Sequence, residues 1–132
     1  MSARKESRKN GRIKLNTELR VVIRSIGADV RYDMVSRNIS HTGFFLDFEK
    51  PGRFPFTAAS IMEIWLELEP GNTIFFNGKM ARVVFPGDEA AKETGPGIAV
   101  RIVQIDAKNE KSLFDFLDRR MKESQDKSNN VA

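Results

Sequence analysis

Residues 61–84 read IMEIWLELEPGNTIFFNGKMARVV, and this stretch decides the fold class. Between Ile61 and Leu68, Met62, Ile64, Leu66 and Leu68 fall on one side, with Glu63 and Glu67 on the other. A period of two marks a half-buried strand, because successive side chains leave a strand on opposite faces. Pro70-Gly71-Asn72 supplies a turn. A second, longer strand then runs from Thr73 to Phe85, with a bulge expected at Gly78. Two strands joined by a tight turn point to antiparallel pairing.

Outward from this pair the same period recurs. Leu19, Val21 and Ile23 share one face against Arg20, Val22 and Arg24, and Val30, Tyr32 and Met34 alternate with Arg31, Asp33 and Val35. Ile26-Gly27-Ala28-Asp29 forms the turn between these two runs. Ser40-His41-Thr42-Gly43 interrupts the second run before Phe44-Phe45-Leu46-Asp47-Phe48, and Gly97 to Val103 forms a late strand. Residues 49–60 and 86–96 hold Pro51, Gly52, Pro55, Pro86 and Pro96 and read as loops. Helical spacing begins only after Asp106, a good N-cap, where Leu113, Leu117 and Met121 recur every fourth residue. Phe114 and Phe116 cannot both share that face, so either one is exposed or the helix buries a broad stripe. The prediction is mainly β: a small antiparallel six-stranded β-barrel with a C-terminal α-helix against it and a flexible basic N-terminal arm. Its expected division is an arm at 1–14, barrel plus helix at 15–123, and a disordered polar tail at 124–132.

Charge separates the arm from the body. The 132 residues hold 22 Lys+Arg and 18 Asp+Glu, a net of +4. Residues 1–24 contain eight basic groups and two acids, so the remainder is slightly acidic. An anionic partner is therefore expected at the arm alone. Cysteine is absent and there is one histidine, which excludes disulfides, thiolate zinc sites, thiol nucleophiles and multi-histidine metal centres. No apolar run approaches the roughly 18–20 residues of a membrane span. The N-terminal charges are not followed by the apolar stretch of a secretion signal, so the expectation is a cytoplasmic chain.

Catalytic readings fail on geometry. Ser40 and His41 are neighbours on extended backbone and point to opposite faces, so they form no nucleophile–base pair. Gly78-Lys79 lacks the earlier glycine of a phosphate loop, and Gly95-Pro96-Gly97 precedes a strand rather than a helix. Two constellations remain. Arg8-Lys9-Asn10-Gly11-Arg12 spaces two arginines four apart on the arm, and Arg4 with Arg8 repeats that spacing. A guanidinium offers a planar fork of donors suited to phosphate oxygens or a guanine edge. Its ordinary alternative is a solvated basic tail. The second constellation is Asn38-Ile39-Ser40-His41-Thr42-Gly43, where Asn38 and Ser40, two apart on a strand, would present an amide and a hydroxyl together. Gly43 fits a place where a positive φ or the close approach of another group is required. Here the ordinary alternative is a Ser/Asn turn joining two strands.

An RxxxR arm, then [DN]xSxxG at a strand turn, then a β-rich body resembles the PilZ domain family, which binds the bacterial second messenger cyclic di-GMP. Gly95-Pro96-Gly97-Ile98-Ala99-Val100 is similar to the family's glycine-led late strand, and the likeness extends over about residues 6 to 120. The resemblance implies no enzymatic activity and no cofactor, with cyclic di-GMP as ligand and a downstream protein as partner. It assigns Arg8 and Arg12 to the ligand's guanine edges and phosphates, Asn38 and Ser40 to polar contacts with a guanine, and Gly43 to the turn that leaves room for them. Arg4, Lys5 and Lys9 add phosphate attraction. Arg37 alternates away from Asn38 and receives no role. Asn38 stands where many members carry aspartate, which keeps an acceptor oxygen but loses its full charge.

Two other functions fit the same residues. A small nucleic-acid-binding barrel could stack bases on Phe44, Phe45, Phe75 and Phe76. Against it stand the acidic body and the preference of strand phenylalanines for the core. A PilZ-like adaptor that works through protein contacts without ligand is the other, and the presence of both motifs argues against it.

Overall fold

The computed structural model describes residues 13–26 and 31–130, with side chains described for 18–26 and 31–123. Six strands form the architecture: β1 (Ile13–Ser25), β2 (Arg31–Ile39), β3 (Gly43–Asp47), β4 (Met62–Glu69), β5 (Asn72–Val84) and β6 (Gly97–Gln104). They close into a barrel in the order β1-β2-β3-β6-β5-β4. Every pairing is antiparallel. A four-residue helix, α1 (Ala91–Thr94), interrupts the long loop before β6, and α2 (Ala107–Asn130) ends the described chain. The predicted six-stranded barrel with a C-terminal helix is thus the observed architecture.

The alternation read in residues 61–68 appears as burial. Met62, Ile64, Leu66 and Leu68 are buried while Glu63, Trp65, Glu67 and Glu69 are half-buried on the outside. The barrel interior gathers Val21, Ile23, Ile39, Phe44, Leu46, Ile74, Phe76, Ile98 and Val100 with these residues in one core. Each large apolar side chain removed from water contributes about 1.5–3 kcal/mol, so this core dominates the stability of the fold. Glycine at 78 is where β5 slips in register against β6, as a bulge there requires.

α2 lies across β5 and β1 and adds Leu113, Phe116 and Leu117 to the barrel core. Phe116 is the inward phenylalanine of the pair, while Phe114 stays 37% exposed. Asp106 caps the helix: the Asn109 N–H donates to its Oδ1 at 2.8 Å. That bond holds the Asp106 carboxyl below the usual carboxylate range. Arg119 donates to Glu69 at 2.9 Å and, as the largest cause, holds that carboxyl below its ordinary value too. The Phe75 N–H donates to Asn109 Oδ1, fastening the first turn to β5. α2 continues to Asn130, whereas composition predicts a frayed tail from Ser124. Lys122 and Glu123 are good helix formers, and beyond them Gln125 and Lys127 alternate with the weaker formers Ser124, Asp126 and Ser128.

β3 is the strand that positions the site. Phe44 and Leu46 enter the core, yet Phe45 on the opposite face is also buried. Phe45 belongs to a second, outer cluster with Val84 and Ala99, covered by Ala90 and Ala91 at the start of α1. The loop before β6 therefore roofs one part of the barrel's outer wall.

Candidate functional site

Asn38 lies opposite Phe45 on β3, so its side chain shares the outer face with Phe45. It is only 8% exposed. Ser40 follows at the start of the β2–β3 turn. The Ser40 N–H donates to the Gly43 carbonyl at 2.8 Å, closing a loop of two residues, His41 and Thr42. The Ser40 hydroxyl works inside this turn, accepting from the N–H groups of Thr42 and Gly43, both at 3.2 Å, and lying 3.1 Å from the Gly43 carbonyl. Its first role is thus to hold the turn that carries it, the ordinary alternative noted for this motif.

Gly43 has no positive φ. What it provides is proximity: a Cβ there would stand 2.1 Å from the Val100 carbonyl oxygen on β6. Gly97 repeats the arrangement at the far end of the same ladder, where a Cβ would meet the Leu46 carbonyl at 2.0 Å. Two glycines thus let β3 and β6 approach closely at both ends.

Arg37 corrects one expectation. Strict alternation would turn it away from Asn38, but β2 slips in register between Ser36 and Asn38. Such a bulge lets two consecutive residues share a face. Arg37 accordingly reaches Asp47, with Nε donating at 2.9 Å, and Asp47 lies two residues beyond Phe45 on the same outer face. The two line a cleft of about 420 Å³ with Phe48, Gly95 and Pro96, and Glu18 and Glu49 also line it. The missed signal is the cross-strand register, which no single strand displays.

The arm residues Arg4, Lys5, Arg8, Lys9 and Arg12 lie outside the described residues. Its point of attachment is described. Ile13 pairs with Ile39 and Lys14 with Asn38, so the arm joins the barrel directly beside the Asn38–Ser40 segment. Residues 15–18 of β1 then stand opposite Arg37 alone before pairing resumes at Leu19 with Ser36. On the other side of the turn, the His41 ring meets Phe114 of α2 edge-to-face, with centroids 4.6 Å apart. Asn38, Ser40 and Gly43 are therefore brought together on one turn, between the root of the arm and the C-terminal helix. Among the described residues no cluster of His, Asp and Glu could hold a metal ion.

A closed six-stranded antiparallel barrel carrying a polar NxSxxG turn at the root of a basic leader defines a narrow class. The family model of the PilZ domain matches residues 3–119, and the chain belongs to the PilZ domain family. Solved structures agree on the fold. The inhibitor of motility MotI/DgrA of Bacillus subtilis aligns with a TM-score of 0.66 at 18% identity, covering 86% of this chain and 50% of that one. This chain thus spans half the length of the Bacillus protein. The PilZ domain of YcgR from Escherichia coli, solved with c-di-GMP, gives 0.61 at 14% identity over 89% and 94% of the two chains. The PilZ domain of CeSA from a cellulose-synthesizing bacterium gives 0.55 at 12% identity over 80% and 93%. None of the curated proteins matches the chain. No described helix is long and apolar enough to cross a membrane.

Proposed function

We propose that the chain is a non-catalytic receptor for cyclic di-GMP, in which Arg8 and Arg12 of the arm close over a ligand held against the Asn38–Gly43 turn. The observation that carries the reading is the β1–β2 register: Lys14 faces Asn38, and Arg12 precedes Ile13 by one peptide bond. Two arginine forks answer the ligand's two phosphodiesters and guanine edges, and the Asn38 side chain supplies a polar group beside the root of the arm. YcgR's PilZ domain, of the same fold, was solved with that ligand. Ordering the arm costs conformational entropy and changes the surface offered to a protein partner. The His41–Phe114 contact gives the same turn a route to α2.

Isothermal titration of the full chain with cyclic di-GMP tests this. Saturable heat is expected, with Arg12→Ala and Asn38→Ala each weakening binding by about tenfold to a hundredfold. Absence of heat at ligand concentrations on the order of 100 μM sinks the reading, because a two-arginine site should bind more tightly than that. Oligonucleotide binding that falls steeply with salt, without a response to cyclic di-GMP, would instead mark a nucleic-acid barrel.

A further inference from the structure

β5 and β6 contain Lys79, Arg82 and Arg101 and no aspartate or glutamate. All three point outward. Their strand neighbours Gly78, Met80, Val83, Val100 and Ile102 face the barrel interior or flank its core, and Ala99, opposite Arg82, lies in the outer cluster. Arg82 and Arg101 are exposed and Lys79 is half-buried. Among the described residues none of the three forms an ion pair. Lys79 and Arg101 are moreover direct cross-strand partners. Like charges placed opposite each other destabilise a sheet, so the fold gains nothing from this arrangement.

The strand order brings these cations to the ligand site. Arg101 pairs with Gly43, the residue whose carbonyl closes the Ser40 turn, and the two backbones approach there too closely for a side chain on residue 43. Two register positions further along, and so on the same face, Asn38, Phe45, Ala99 and Arg82 are successive partners across β2, β3, β6 and β5. Neighbouring strands lie about 4.8 Å apart, which sets Arg101 roughly 10 Å from the strand bearing Asn38. A molecule with two charged phosphodiesters can bridge that gap.

We propose that Arg101, backed by Lys79 and Arg82, forms a second cationic wall of the binding site and takes a phosphodiester on the side of Gly43 away from the arm. This rests on the reading of the turn and arm as a cyclic di-GMP site. Calorimetric titration of cyclic di-GMP into wild type, Arg101→Ala, Arg101→Lys and Lys79→Gln, with a thermal melt of each unliganded protein, tests it. Wild type binds; Arg101→Ala weakens binding about tenfold or more, and Arg101→Lys loses less, because the charge remains but the fork does not. Without ligand, Arg101→Ala and Lys79→Gln melt higher by about 1–4 °C, since a like-charge pair is removed. That opposition between affinity and stability is the signature of a binding role. If wild type binds and Arg101→Ala binds equally well, this inference is overturned and the cyclic di-GMP reading survives. A lower melting temperature for Arg101→Ala would also overturn it, by showing that the side chain serves the barrel. If wild type itself fails to bind, the underlying reading falls and takes the second wall with it.

Discussion

On the outer surface across β1, β2 and β4, charge meets opposite charge, and Arg37 of β2 likewise meets Asp47 of β3, whereas across β6 and β5 cations stand together. Arg24 donates to Glu63 at 2.9 Å on the neighbouring strand, and Arg20 approaches Asp33 at 3.6 Å. Arg24 also lies over the Trp65 ring, 5.4 Å from its centroid, and Trp65 leans on Phe75 at 5.0 Å. On the other side the strands are joined through bare backbone at Gly43 and Gly97, with Lys79 facing Arg101. One half of the wall is knitted by its side chains. The other brings backbones close at two glycines and carries cations that form no ion pair among the described residues, which on the proposed reading are left to a ligand. On the proposed reading the outer faces of β5 and β6 add to the binding surface at the Asn38–Gly43 turn, while the ion pairs across β1, β2 and β4 serve the barrel.

The comparison breaks most readily at the backbone seam. Gly43→Ala places a methyl group against the Val100 carbonyl, which cannot rotate aside, so β3 and β6 must separate. The expected loss is about 3 kcal/mol, at the upper end of overpacking costs, read from urea unfolding. Gly52→Ala is the control: its new Cβ would meet only the Phe85 ring, at 3.9 Å, and should stay within about 0.5 kcal/mol of wild type. If both substitutions are equally mild, the seam is not held by close approach.

That seam also shows how far the sequence could be read. Period-two alternation in residues 61–68 identified the strand, its face and its outward acids, because a strand with one buried side announces itself locally. Asp106 was equally legible as a cap, since capping needs only residues within one turn. For the site, the Asn38–Gly43 turn could be found from residue types. Arg37 could not, because its direction depends on a slip against β3, a property of two strands together. The roof over Phe45 was hidden for a related reason: residues 86–96 carry loop composition, and Ala90 and Ala91 acquire an apolar role only once folded onto Val84 and Ala99. The work of Ser40 inside its turn was visible only as one of two alternatives.

A sharper test concerns the knitted half. Trp65 is half-buried, so Trp65→Ala should cost less than the truncation of a fully buried aromatic, about 1–2 kcal/mol, through lost contact with Phe75 and Arg24. Cyclic di-GMP affinity should not move. Unfolding in urea and calorimetry on the same variant provide both numbers. A tenfold loss of affinity in Trp65→Ala would show that the division between the two halves is wrong.

The smallest effect is the most diagnostic, because its sign differs between the halves. The Arg24 and Glu63 side chains are 31% and 22% exposed, so their double-mutant coupling should be favourable, at about 0.5–1 kcal/mol. The cycle on Lys79 and Arg101 should give an unfavourable coupling of about 0.2–1 kcal/mol. Salt separates electrostatics from packing, since the screening length falls to about 3 Å at 1 M. Raising the salt should shrink both couplings toward zero from opposite sides, weakening the Arg24–Glu63 pair and relieving the Lys79–Arg101 pair. Couplings of the same sign, or a Lys79–Arg101 term indifferent to salt, would mean that the cations do not repel and that the barrel bears no cost for keeping them together.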